Sequence, residues 1–286
     1  MSTPLANWNG DELPLDQVRV SVLDRSFLFG DAVYEMLRVY GGKPFLLREH
    51  LGRLKYSLGE LRIRADVDRI ERRLRQTLEH AGVQEGLAYV HISRGAAPQR
   101  THQFPVPPPA PNELIWVRAV SGDKVAEYRE TGVKVITVPD VRWKRCDIKS
   151  CNLLGNVLAS EAAEIAGCQE AILIGENEII TEGSHSSVFG VDQGQILTAP
   201  LAANVLPGIT RRLVVKLARR VGLPLREESL HLERVWSLDE LFITGTSIDV
   251  LPVTLVDGQV VGPGKPGPVT KRLRQAYLDF VADGDF

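Results

Sequence analysis

The chain has 286 residues, 44% of them apolar, and 36 acids against 34 bases leave a formal charge of −2. That length and apolar content suffice for a substantial buried core, in one large domain or two smaller ones, and two are expected. The basic residues are dispersed and nearly balanced by acids, which argues against a nucleic-acid or anionic-membrane partner.

The N-terminal run MSTPLANWNGDELPLDQ has neither a basic n-region nor an apolar h-region, and no later stretch reaches the length of a membrane span. A soluble, cytoplasmic protein is therefore expected. A short strand is predicted at Arg19–Val22, followed by AVYEMLRVYGGKPFLL, which alternates in character and turns at Gly41-Gly42 as a hairpin. Tyr34, Met36, Arg38 and Tyr40 then share one strand face. Leu47, His50, Leu51, Leu54, Leu58 and Leu61 recur at helical spacing, as do Val67, Ile70, Leu74 and Leu78 after a capping Asp66. LAYVHISR reads as a strand. It runs into GAAPQRTHQFPVPPPAP, a long Pro-rich loop of the kind that often carries function.

A strand at Glu113–Val120 closes an N-terminal α+β domain, residues 1–120, and a linker over 121–128 lies within the polar stretch SGDKVAEYRETG. The second domain, 129–286, opens on the strand VKVITVP and a helix over Asn152–Ala166 with Leu153, Val157 and Ala163 inward. The strand-rich tract AILIGENEIITEGSHSSVFGVDQGQILTAP follows, then the helix GITRRLVVKLARRVG bounded by Gly208 and Gly222. Strands at LFITG and DVLPVTLV, a turn at Asp257-Gly258 and a helix from Pro268 complete the chain. Cys146, Cys151 and Cys168 are odd in number and form no CxxC pair, and the six histidines show no HExxH spacing, so neither a disulfide framework nor a metal site is expected.

Only nine of the basic residues are lysines. Lys43 lies in a Gly-Gly turn, Lys124 beside Gly122-Asp123 and Lys265 in GPGKPGP, all ordinary places for a solvated charge. Lys149, in RCDIKSCNLLGNVLASEAA, stands at the border of an amphipathic helix. A lysine so placed is a candidate Schiff-base nucleophile, with a solvated helix-start lysine as the plainer alternative.

The segments FGDAVYE, REHLGRL, RGAAPQRTHQFP, RCDIKSCNLLG, ITEGSHSSVFG, LPGITR and ELFITGTS occur in this order. Together they resemble the class IV, or fold-type IV, pyridoxal-phosphate aminotransferases over almost the whole chain, and within them the D-amino-acid transaminases. The resemblance implies an α/β (α+β) fold: a smaller N-terminal α+β domain and a larger C-terminal mixed, barrel-like sheet with helices. It implies that Lys149 carries pyridoxal 5'-phosphate as a Schiff base and serves as the base at Cα. It implies that Glu182 partners the pyridine nitrogen, keeping the ring an electron acceptor. Arg53, Ile209, Thr210, Thr246 and Ser247 become the phosphate contacts, a guanidinium fork and a helix N-terminus being suited to an anion. Gly245 stands where many relatives carry serine.

The same fold hosts branched-chain and (R)-amine aminotransferases and aminodeoxychorismate lyase, so the lysine does not select the substrate. Arg100 and His102 match the Arg-x-His element, and Tyr34 the tyrosine, that bind the substrate α-carboxylate in D-amino-acid transaminases. Placing that carboxylate decides which enantiomer turns its Cα–H toward Lys149. Gln99 lengthens the loop by one residue, and Arg38 is then an alternative carboxylate contact. Met36, Ser184 and His185 are candidate side-chain pocket residues. The expected activity is transamination of a D-amino acid with an α-keto acid, 2-oxoglutarate or pyruvate, by a homodimer.

Overall fold

The computed structural model describes residues 3–120, 125–284 and 286. Among these, no helix is long and apolar enough to cross a membrane. Two compact units emerge: one groups the chain up to Gly122 with Ile148–Asn152 and Phe286, the other Asp123–Asp147 with Leu153–Asp285.

The first unit opens with a hairpin of β1 (Leu5–Trp8) and β2 (Asp11–Pro14). Its Asn9-Gly10 turn takes φ of 56° and 113°, which Asn and Gly tolerate. The short strand expected at Arg19–Val22 does not form. That stretch is irregular and leaves Val20 and Val22 exposed. Asp24 caps α1 (Arg25–Phe29), its side chain accepting from the Ser26 amide at 2.7 Å. Then come β3 (Ala32–Tyr40), β4 (Lys43–Pro44), α2 (Leu47–Glu60), α3 (Val67–Ala81), β5 (Gly86–Ser93) and β6 (Asn112–Ala119). The six strands pair antiparallel in the order β2-β1-β6-β5-β3-β4.

The buried row of β3, Val33, Leu37 and Val39, packs with Leu54 and Leu58 of α2 and Ile70 and Leu74 of α3. Each such side chain contributes about 1.5–3 kcal/mol of burial. Asp66 caps α3 as expected, accepting from the Arg69 amide at 3.0 Å. Tyr34, Met36, Arg38 and Tyr40 lie on the opposite, half-buried face of β3.

Ile148–Asn152, which the sequence reading assigned to the C-terminal stretch, packs instead with the first unit. Tyr34 N donates to Lys149 O at 3.0 Å and Cys151 N to Ala32 O at 3.0 Å, making a short bridge along β3. Lys149 N donates to Ser57 Oγ of α2 at 3.1 Å, and Ile148 joins the apolar core. These main-chain bonds position Lys149 whatever its side chain does.

In the second unit, residues 121–124 of the expected linker lie outside the described residues, and the rest enters α4 (Ala126–Thr131). The unit continues through β7 (Val133–Pro139), α5 (Leu154–Ile165), β8 (Glu170–Ile174), β9 (Ile179–Gly183), β10 (Ser187–Asp192), β11 (Gln195–Thr198) and α6 (Ile209–Arg220). It ends with β12 (Leu225–Glu227), β13 (Leu230–His231), β14 (Glu240–Gly245), β15 (Asp249–Val256), β16 (Gln259–Val260) and α7 (Pro268–Asp283). Its sheet runs β12-β11-β10-β14-β15-β7-β8-β9-β13, with β16 on β15. The β7–β8, β7–β15 and β11–β12 pairs are parallel and the others antiparallel. β10 and β14 are buried on both faces, and Phe189 stacks on Phe242 across them at 4.9 Å.

One expectation for α5 fails. Val157 is 57% exposed, and the buried side is built from Ala159 and Ala163 against Ala171 and Leu173. Alanines let the helix approach β8 closely, leaving the larger Leu154, Val157, Leu158 and Ile165 exposed.

Candidate active site

Lys149 is half-buried, and its Nζ lies 4.2 Å from the ring centroid of Tyr34. Tyr34 in turn packs against Tyr89 at 5.7 Å. A cation on an aromatic face keeps an extended lysine in place without committing its amine to a carboxylate. Arg38, the alternative carboxylate contact, is already engaged: it donates to Glu85 Oε2 at 3.0 Å and to Gly86 O at 3.1 Å.

Arg53 of α2 is buried. The reason is Glu35, which interrupts the apolar row of β3 and receives Arg53 Nε at 2.8 Å and Nη2 at 2.7 Å. His50 Nδ1 lies 2.7 Å from Glu35 Oε2. Burial by itself would raise the Glu35 carboxyl, but the Arg53 charge, with help from hydrogen bonds to Arg53 and His50, holds it down at about 2. His50 is pushed below the ordinary imidazole value, by burial first and against the pull of Glu35. A neutral His50 then donates through Nδ1 to the carboxylate, and Glu35 fixes the plane of the Arg53 guanidinium. Glu35 and His50 were missed as site residues, although a glutamate inside an apolar strand row signals a buried partner.

Arg100 and His102 are exposed, and both lean on Phe29: Arg100 Cζ is 4.9 Å and the His102 ring 5.5 Å from its centroid. Tyr34 instead keeps company with Lys149. Within the first unit, then, the tyrosine packs with the lysine, and the Arg-x-His pair packs on a different aromatic ring.

In the second unit, Glu182 lies next to last in β9 and is buried. Its Oε1 accepts from Arg142 Nη1 and its Oε2 from the Leu206 amide at 3.2 Å. Asp140 grips the same arginine at 2.7 Å. Burial works against the Arg142 charge, but Asp140 and Glu182 outweigh it and hold the guanidinium above its ordinary range. Nothing in DVRWKR marks Arg142 as different from its basic neighbours.

The loop after Glu182 is tied down by another residue the sequence reading missed. Buried Glu170 accepts from Ser184 N at 3.0 Å, Ser184 Oγ at 2.5 Å and Ser186 Oγ at 2.7 Å. A Cβ at Gly183 would collide with Ser186 Oγ and lie 2.9 Å from Glu170 Oε2, which explains the glycine. Ser184 is therefore a structural anchor, whereas the His185 side chain is half exposed.

Ile209 and Thr210, both buried, open α6 behind Gly208, which provides no side-chain cap. The first amides of a helix lack intrahelical partners, so this end favours an anion. A Cβ at Gly208 would lie 2.9 Å from Ser187 Oγ. Thr244, the cross-strand neighbour of Ser187, has a buried hydroxyl without a hydrogen-bond partner among the described residues. Thr246 and Ser247 lie in the turn after β14, the first half-buried and the second exposed.

A sequence profile for class IV amino-transferases matches residues 32–256. The chain belongs to the class IV aminotransferases. It is 39% identical over 275 residues to the D-alanine aminotransferase of Staphylococcus epidermidis, covering 96% of each chain. Among solved structures, it is similar to the branched-chain amino acid aminotransferase of Escherichia coli, with a TM-score of 0.89 and 29% identity over 97% of this chain and 94% of that one. The T.th. branched-chain amino acid aminotransferase with pyridoxamine 5'-phosphate gives a TM-score of 0.91 and 27% identity, over 98% and 95%.

This aminotransferase has the fold-type IV architecture and is pyridoxal-phosphate dependent. Each unit taken by itself carries groups of the kind such a cofactor uses: the first a half-buried amine suited to an aldehyde, the second a buried carboxylate suited to a ring nitrogen, and an uncapped helix N-terminus and an orphaned buried hydroxyl suited to a phosphate.

The buried groups also set a pH dependence. Unfolded histidine takes up a proton near 6.5, whereas folded His50 and His91 are both held lower by burial, so stability falls as pH drops below 6.5. Glu35, ordinarily at 4.5 and folded at about 2, extends the loss through that lower window. His80, raised by its bond to Glu12, acts in the opposite sense. Thermal melts at about pH 7.5 and about pH 5.5 will show the lower Tm at the lower pH, and His50→Asn will shrink the difference. A difference untouched by that substitution would remove His50 from the account.

Proposed function

We propose that the chain transfers the amino group of a D-amino acid to an α-keto acid, 2-oxoglutarate or pyruvate. The observation that carries this reading is the identity with the Staphylococcus epidermidis D-alanine aminotransferase over 96% of both chains. The branched-chain enzymes are similar in fold at lower identity, and the Arg100–His102 element favours the D-amino-acid reading.

Bound pyridoxal phosphate supplies an electrophilic carbon for the amine and a ring that accepts the electron pair released at Cα. Lys149 would hold the cofactor covalently through Nζ and would take the Cα proton on the same atom. Glu182 is the acidic partner of the ring nitrogen, held in place by Arg142 and the Leu206 amide. Ile209 and Thr210 offer main-chain N–H groups to the phosphate, and Arg53, oriented by Glu35, adds a guanidinium. Thr246 and Ser247 complete that set. Tyr34, Arg100 and His102 bind the substrate carboxylate, which sets the hand of the reaction.

The assembly proposed is a homodimer in which the Arg100–His102 loop serves the partner subunit's site. The exposed apolar face of α5, Leu154, Val157, Leu158 and Ile165, supports association, as do exposed Val22, Phe27 and Val106 of the first unit. A cytoplasmic location accords with three free cysteines, which a reducing compartment preserves.

With D-alanine and 2-oxoglutarate the protein will form pyruvate and glutamate in equal amounts, and Arg100→Ala will raise the KM of both substrates about tenfold or more. Product formation that needs no acceptor would instead indicate a lyase on the same scaffold.

A further inference from the structure

Behind the exposed Arg100 and His102 lies a cluster that the proposed reaction does not use. Arg25 is only 3% exposed and sits at the start of α1. Its Nη1 donates to Thr101 O at 2.7 Å and to Gln103 O at 3.4 Å, and its Nη2 to His102 O at 3.3 Å. Nε is occupied by Asp31 Oδ2 at 2.7 Å. One guanidinium thus gathers three consecutive carbonyls of the loop while its remaining edge is anchored.

The anchor is itself rigid. Asp31 is also gripped by Arg94, Nε at 2.7 Å and Nη2 at 2.9 Å, and Arg94 reaches Leu61 O at 2.6 Å and Arg62 O at 3.2 Å beyond α2. Arg94 Cζ lies 3.7 Å over the ring of Phe104, which pins the far end of the same loop. Two buried guanidinium groups share one carboxylate, so a positive charge is left over. The carbonyl oxygens of the loop are the groups placed to satisfy it. Arg25 also lies 4.6 Å over Phe29, the ring on which Arg100 and His102 rest.

We propose that Arg25 is a positioning residue for the substrate carboxylate: by binding the carbonyls of Thr101, His102 and Gln103 it fixes the register in which Arg100 and His102 are presented. This rests on the carboxylate-binding reading of that pair. It accounts for how a loop lengthened at Gln99 keeps a defined register, since three converging carbonyls on one fork permit a single alignment. Lysine at this position would keep the charge opposite Asp31 but could not span the three carbonyls.

The test compares Arg25→Lys, Arg100→Ala, the Arg100→Ala/His102→Ala pair and that pair with Arg25→Lys added, all in the holoenzyme. Arg25→Lys is expected to raise the KM for D-alanine and for the keto acid about tenfold with kcat held within about twofold. Added to the Arg100→Ala/His102→Ala pair, it will raise KM no further. Hydrogen exchange of the loop amides from Thr101 to Phe104 will quicken in the cofactor-free Arg25→Lys chain. If Arg100→Ala raises KM and Arg25→Lys does not, the positioning role is overturned alone. If Arg100→Ala leaves KM unchanged, the carboxylate reading is overturned and this proposal with it. A fall in kcat with unchanged KM in Arg25→Lys would mean a merely structural arginine and would also overturn it.

Discussion

Lys149→Ala will lose at least about 10⁴-fold in transamination rate while remaining folded. The proposed reaction requires an amine at this point both to hold the cofactor and to take the Cα proton, and no other side chain of the RCDIKSCN segment offers one. The fold will persist because the segment is held by its main chain: Lys149 N on Ser57 Oγ, Lys149 O under Tyr34 N and Cys151 N on Ala32 O. What disappears is the contact of Nζ with the Tyr34 ring, a surface-type term of about 0.5–1 kcal/mol. Initial rates, the visible absorbance of the purified protein and a thermal melt check the three parts together. A variant that keeps a tenth or more of the native rate would remove Lys149 from the reaction.

Glu182→Ala will have the second largest effect, because Glu182 serves the proposed chemistry as well as the packing. Loss of a preorganised carboxylate at the ring nitrogen should lower kcat by about 10²–10³-fold. The Arg142 side chain then remains buried with Asp140 as its carboxylate partner, and the lost charge-assisted bond should cost about 1–3 kcal/mol of stability. Glu182→Gln separates the two effects. The amide oxygen can still accept from the Leu206 N–H and the side-chain volume is kept, so more stability is retained than with alanine, but the neutral group leaves Arg142 balanced by Asp140 and offers no negative charge to a nitrogen that must carry a proton in the proposed reaction. Rates comparable to native in Glu182→Gln would contradict the assignment; denaturation curves of both variants read the stability component.

Local chemistry made much of the fold legible. Asp66 followed by apolar residues at helical spacing marked α3, Gly41-Gly42 marked the β3–β4 turn, and Gly208 and Gly222 bracketed α6. Asn9-Gly10 is an equally clear hairpin signal, whereas no strand forms at Arg19–Val22. Long-range pairing was what the sequence could not show. Arg53 looks solvated along its own helix and becomes buried only because Glu35 arrives from β3. Arg142 is one of several bases in its segment until Asp140 and Glu182 enclose it, and the attachment of Ile148–Asn152 to β3 rests on bonds between residues far apart in the chain. The candidate residues Lys149, Glu182, Ile209 and Thr210 were reached through matching segments, whereas their supports, Glu35, Arg142 and Arg25, had no local pattern to reveal them.

The hand of the substrate is the central claim, and single-turnover spectra test it most directly. Holoenzyme mixed with D-alanine in the absence of keto acid should convert its cofactor from the pyridoxal to the pyridoxamine form with release of one pyruvate per site, while L-alanine leaves the spectrum unchanged. Conversion by L-alanine and none by D-alanine would contradict the account.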